Sequence, residues 1–212
     1  MPRLSDEKKA VLESMTREAL YEAAVGILRE EGLQGLTMDR LAASAGVAKG
    51  TVYNYFRDKK EIVFFLAERS MEDVIRQVQA LDLEGRDPVE LLEESLDLLL
   101  NHMVEKRKTL GALFRTLCED VEMREMACES RNRRPGHEIR EKMTEIFRKG
   151  VSTGRFRPGN PVMMNAVFHA TLHGIIHEFI LHADDDADPS EAVAAIKDLI
   201  LHGFCPEEKK KP

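Results

Sequence analysis

The sequence predicts an all-α protein of about nine helices, with a three-helix helix-turn-helix domain at the N-terminus and a larger helical domain behind it. Three observations predict this. Val, Ile and Thr are scattered along the 212 residues, and few windows alternate as a half-buried strand does. Apolar residues instead recur at helical spacing. Clusters of helix-breaking residues divide the chain into stretches of roughly 15 to 25 residues, an ordinary helix length.

The first of these stretches is "TREALYEAAVGILREEG", in which Leu20, Ala23, Ala24, Ile27 and Leu28 share one face. Gly32 is expected to stop it in the left-handed conformation. Thr37 is placed as the cap of the next helix, and Gly46 ends it. "LAASAGVAKGTVYNYF", residues 41 to 56, holds two short helical pieces around that glycine. Isolated helices below ~12 residues are marginal in water, so both pieces need partners. Leu41, Val47, Val52 and Phe56 are spaced to form a small shared core, and Ala42, Ala43 and Ala45 let two helices approach closely. Asp58 with Glu61 forms a capping-box-like pair that opens "KKEIVFFLAERSMEDVIRQVQAL". Further breaks are expected at "EGRDP" (84–88), near Lys108–Thr109, at "RRPG" (133–136), at "TGRFRPGNP" (153–161) and at "HADDDADPS" (182–190). The expected domains are residues 1–60 and 61–212.

Hydrophobic residues make up 43% and charged residues 33%, an ordinary globular composition. No apolar run approaches the ~18 residues of a membrane span. The charged start "MPRLSDEKKAVLESM" fits neither a signal peptide nor a transit peptide, so a cytoplasmic protein with no membrane partner is expected. Cys118, Cys128 and Cys205 are odd in number and irregularly spaced, which fits reduced thiols; a Cys118–Cys128 redox pair is the alternative. The net charge of −7 is unevenly spread. Five basic and two acidic residues lie between Thr37 and Lys60, against 18 basic and 29 acidic from Glu61 to Glu208. Such a basic head can meet DNA while the acidic body is repelled.

A helix-turn-helix places its second helix in the major groove while the first crosses the backbone. The residues that the second helix carries outward suit that task. Lys49 can reach phosphate or a guanine edge, and Asn54 can pair bidentately with adenine. Thr51 and the hydroxyls of Tyr53 and Tyr55 can donate to phosphates. Gly50 leaves the helix start bare, so that backbone amides can approach a phosphate. Lys59, at the start of the following helix, would meet a second one.

The run "LTMDRLAASAGVAKGTVYNYFRDKKEIV", preceded by "ALYEAAVGILREEGLQG", resembles the N-terminal domain of the tetracycline-repressor (TetR) family of bacterial transcriptional regulators. The resemblance spans about residues 16 to 66. It implies phosphate contacts from Thr37, Tyr53 and Lys59, and base contacts from Lys49, Thr51 and Asn54. Ala48 departs from the pattern, standing where the family usually has a Ser or Thr cap. The family's general layout implies an effector pocket in an all-helical body and a homodimer formed by the last two helices.

Residues 161–182, "PVMMNAVFHATLHGIIHEFILH", are apolar almost all round, so a helix there must be covered on most sides. "SEAVAAIKDLILHGF" offers a second apolar stripe. Gly174, Ile175, Ile176, Phe179, Ile196, Leu199 and Ile200 are therefore the expected dimer face, a four-helix contact between two copies. Met103, Phe114, Met143, Phe147, Phe168 and Leu172, with His169 and His173 as polar anchors, are candidates for the effector pocket; core packing is the competing role for each.

His169, His173 and His177 are each four apart, in a row that suits a divalent ion, a pH-sensitive contact or ordinary hydrogen bonding. The last is preferred, and no metal or other cofactor is expected. "HEFILH" misses the zinc-protease spacing by one residue. No nucleophile elbow, phosphate-binding glycine loop or Cys-x-x-Cys pair is present, so no enzyme is expected.

Taken together, the sequence and its resemblance imply a ligand-responsive regulator. It would be a repressor released from a palindromic double-stranded DNA operator by a small apolar or aromatic effector. The alternative is a lipid- or metal-binding helical protein of the same fold that does not use DNA.

Overall fold

The computed structural model describes residues 4–119, 136–176, 178 and 188–205. Among these residues there are nine α-helices and no strand. They are α1 (Leu4–Gly35), α2 (Met38–Ala45), α3 (Lys49–Tyr55), α4 (Lys59–Gln79), α5 (Pro88–Glu105), α6 (Arg107–Glu119), α7 (Gly136–Ser152), α8 (Pro161–Ile176) and α9 (Ser190–Phe204). The chain forms two compact units, Met1–Ser70 with Ala112–Met126 and Met71–Gly111 with Ala127–Pro212. The expected boundary after residue 60 follows the helix-turn-helix, whereas the first unit runs ten residues further and takes up part of α6.

The core of the first unit is the one its periodicity called for. Leu20, Ala24, Ile27 and Leu28 of α1 are buried with Leu36, Leu41, Val52 and Phe56. The first half of α4 adds Ile62, Val63 and Leu66, and α6 adds Leu113. Tyr21 sits edge-on to Phe65, and its hydroxyl hydrogen-bonds Ser70 Oγ at 3.2 Å.

Two features of α1 differ from expectation. The helix starts at Leu4, well before Thr16, and residues 6–15 are all exposed. Strong helix formers such as Lys, Glu and Ala carry it there, while Val11, Leu12 and Met15 stay exposed. Gly32 does break the helix at positive φ, but with ψ −168° rather than the left-handed value. That region is essentially reserved for glycine.

In the second unit, α5 buries Leu91, Leu92, Leu96 and Leu100, and α7 buries Ile139, Met143, Ile146 and Phe147. Phe147 is the hub of an aromatic cluster. Its ring centroid lies 5.6 Å from Phe156, 5.7 Å from Phe168 and 4.9 Å from Phe204. The break expected near Lys108–Thr109 falls two residues earlier, at Lys106 (φ −95°, ψ 12°). No Gly or Pro marks it, because the chain only swings through the bridge region and resumes helix at once.

The break at 153–161 is a clasp. Arg155 makes two bonds to Asp87, at 3.0 and 2.5 Å, Phe156 is buried, and Arg157 donates to the carbonyls of Cys205 and His202 at the end of α9. Those carbonyls have no helical partners of their own, so a guanidinium there satisfies them and complements the helix dipole. The breaks expected at 133–135 and 182–187 lie outside the described residues.

Candidate nucleic-acid interface

The sharp turn between α2 and α3 is built from backbone hydrogen bonds and one glycine. Thr37 Oγ1 accepts from Arg40 N at 3.2 Å and so caps α2. At the other end Gly46 adopts φ 67°, ψ 29°. Its N–H donates to Ala43 O at 3.3 Å, and that of Val47 donates to Ala42 O at 3.0 Å. This is the Schellman arrangement, which needs a residue free of a Cβ penalty at the left-handed position. α3 then begins at Lys49 behind Ala48, which is extended and offers no side-chain cap. A Ser or Thr there would be worth ~1 kcal/mol.

The two faces of α3 divide as the spacing of its residues predicted. Val52 is fully buried, and Tyr55 and Phe56 pack on the head's core with their rings 6.3 Å apart. Lys49, Gly50, Tyr53 and Asn54 are exposed, Tyr53 by 51%, and Thr51 is half-buried. A Cβ on Gly50 would meet nothing within 4 Å, so the helix start is open to an incoming group. Thr37 is also exposed. Tyr55 is therefore partly committed to packing, while the other residues of the surface remain accessible.

Around this surface the ionic partners are specific. Asp58 Oδ1 accepts from Glu61 N at 3.0 Å, and Glu61 returns a bond to Arg57 N at 2.7 Å. The box thus closes one residue further back than the usual reciprocal pair. Arg40 is tied to Glu31 by two bonds, at 2.9 and 2.6 Å. Lys59 is half-buried, and burial pushes its ammonium below the usual lysine range. A phosphate at that position would oppose that shift, since an opposite charge favours the ionised form.

Sequence reasoning missed one participant. Asp39, in the first turn of α2, forms an ion pair with Lys49 Nζ at 2.6 Å. Lys49 also lies 6.0 Å from the centre of the Tyr53 ring.

The residues considered for the body lie as follows. Met143, Phe147 and Phe168 are fully buried, Leu172 nearly so, Met103 and His169 half-buried, and His173 exposed. The Phe114 side chain lies outside the described residues. Ile196 and Ile200 are buried within their own chain, so the outward residue of that stripe is Leu199, 56% exposed. Gly174 is exposed; the side chains of Ile175 and Ile176, and the whole of Phe179 and His177, lie outside the described residues. Among the described residues no three His, Cys, Asp or Glu side chains gather as metal ligands. Cys205 is a half-buried free thiol that burial pushes up, while Cys128 and the Cys118 side chain are outside the described residues. Among the described residues no helix is long and apolar enough to cross a membrane.

A capped first helix, a Schellman turn and a short second helix with a polar outer face define a helix-turn-helix DNA-binding domain. Residues 20–64 match the family model described as bacterial regulatory proteins, tetR family. Those residues are similar to the N-terminal, DNA-binding part of that family. Over 97 residues the chain is 29% identical to an HTH-type transcriptional regulator of Staphylococcus aureus (strain bovine RF122), a match covering 46% of this chain and 52% of that protein. A counterpart in strain USA300 is 27% identical over the same length. The chain thus spans about half the length of the curated relatives it matches.

Solved structures extend the likeness in fold. SmeT, the repressor of the Stenotrophomonas maltophilia multidrug efflux pump SmeDEF, in its triclosan complex aligns with 93% of this chain and 95% of its own, at TM-score 0.72 and 22% identity. The fatty acid degradation regulator FadR from Bacillus halodurans aligns with 89% of this chain and 95% of its own, at TM-score 0.73 and 20% identity.

Proposed function

We propose that this chain is a cytoplasmic, homodimeric transcriptional regulator, a repressor that leaves a palindromic operator when a small apolar or aromatic effector binds its helical body. The observation that carries the proposal is the outer face of α3, where Lys49, Tyr53 and Asn54 stand exposed on a helix whose other face is locked into the head. A two-fold dimer would set its recognition helices ~34–36 Å apart, or a multiple of that, to meet successive turns of the groove. An effector that changes the angle of α4 would move the heads off that spacing. A coupling of ~1–3 kcal/mol is enough for a 5- to 150-fold loss of affinity. The triclosan complex of SmeT and the fatty-acid role of FadR support an apolar effector here.

The partner surface is supported by exposed apolar residues in the body. Val162, Met163 and Val167 on α8 are 53–61% exposed, and Leu199 on α9 is 56% exposed. Binding and release of this kind involve no chemistry on a substrate, in keeping with a family of regulators rather than enzymes.

The test is a salt titration on DNA from the chain's own promoter region, with wild type beside a Lys49→Ala/Tyr53→Ala variant. Sequence-selective binding that weakens steeply with salt, and that the variant loses, is expected. If neither promoter DNA nor a genome-wide pool of fragments is bound selectively, the proposal fails.

A further inference from the structure

Lys49 is the residue of α3 best able to reach phosphate or a guanine edge, and in the free protein its ammonium is already held. Asp39 Oδ1 lies 2.6 Å away, and both side chains are well exposed, at 56% for Lys49 and 70% for Asp39. The carboxylate hydrogen bond and its charge hold Lys49 above its ordinary pKa, so the ammonium is charged and engaged. Asp39 comes from the first turn of α2, two residues after the capping Thr37, and so belongs to the helix that would cross the DNA backbone. The surface that would face DNA therefore carries a negative charge beside the residue best placed to contact phosphate.

We infer that Asp39 is an intramolecular competitor of the DNA phosphates for Lys49, and that it suppresses sequence-independent binding. To contact DNA Lys49 either leaves Asp39 or shares its ammonium with it, and in both cases the carboxylate stands close to the phosphates. An exposed ion pair is weak and opens readily, so the exchange is fast. Its effect falls on the electrostatic part of binding, which every sequence shares. On the right operator, base contacts from Asn54 and its neighbours add to what phosphate contact alone cannot supply. Asp39 thus lowers the background against which the operator is selected. The inference rests on the DNA-binding proposal above and concerns a residue that the family pattern does not assign.

The experiment uses the full chain and a random-sequence duplex, with binding measured across a salt series for wild type, Asp39→Asn, Asp39→Glu, Lys49→Ala and the Asp39→Asn/Lys49→Ala double variant. Removing the competitor should tighten random-duplex binding about three- to tenfold at low salt and steepen the salt slope by up to about one phosphate contact. Asp39→Glu should behave as wild type. In the Lys49→Ala background the gain should shrink to what loss of the carboxylate's own repulsion supplies, because no ammonium remains to be released. If Asp39→Asn leaves binding unchanged or weaker, or gains as much without Lys49, the competition is overturned and only a general charge effect remains. Those outcomes leave the regulator proposal intact. Its own failure is separate, because wild type would then bind neither promoter DNA nor genomic fragments selectively, whatever its affinity for this duplex.

Discussion

Gly150 occupies the last turns of α7, where the chain folds back and Phe156 N–H donates to the Gly150 carbonyl at 3.0 Å. A Cβ at this position would run into the ring of Phe156, which is itself wedged against Phe147. Gly150→Ala should therefore lower stability by about 1–3 kcal/mol, the usual cost of overpacking, although alanine is the better helix former. Gly26, in α1 with nothing near its would-be Cβ, should respond in the opposite sense, gaining roughly 0.5–1 kcal/mol on Gly26→Ala. Denaturant midpoints of the two variants measured side by side check both signs. Nothing in the spacing of glycines separates the two positions; only the ring over one of them does. The same holds for Lys49 and Asp39, ten residues apart, which meet because the Schellman turn sets the angle between their helices.

At the scale of elements, the segment between α7 and α8 works as a clasp with three grips. Arg155 holds the N-cap of α5, Phe156 fills the core, and Arg157 closes the end of α9. Asp87 serves two partners, capping α5 through Val89 N and receiving the Arg155 guanidinium. The hydrogen bond from Arg155, aided by the Val89 amide, holds its carboxyl below the usual carboxylate range. A carboxylate depressed on folding stabilises the protein fully above its unfolded pKa of about 3.9, and that contribution is lost as pH falls through the folded value. Asp87→Asn keeps a capping side chain but removes the charge. The variant should be less stable than wild type at neutral pH, and the gap should close below about pH 4, as the wild-type carboxylate is neutralised. Thermal unfolding of both proteins from pH 7 down to pH 3 would show whether the curves converge.

For the whole molecule, the proposed function turns on how two copies would meet. α8 is apolar nearly all round, and among its described residues Phe168 and Leu172 are buried while Val162, Met163 and Val167 stay exposed. If α8 and α9 form the partner face, Met163→Glu/Leu199→Glu should convert the dimer to a monomer without loss of helicity. Sedimentation velocity with circular dichroism reads both. DNA affinity should fall with it, since one head meets half an operator. A double variant that stays dimeric would place the interface elsewhere.

The sequence alone determined the helical class and the head. Helical periodicity, the Thr37 and Asp58 caps, Gly46 and the outward polar residues of α3 are all written within short stretches, because local hydrogen bonding and a side-chain repeat need only near neighbours. Tertiary structure decided what depends on the rotation and angle of one helix against another. It turned Ile196 and Ile200 inward and left Leu199 outside, a choice the stripe on α9 does not encode. It also set how deeply Met143, Phe147 and Phe168 are buried in the body, which periodicity alone does not fix. Burial patterns reveal that a face must be covered; only packing across distant segments reveals by what.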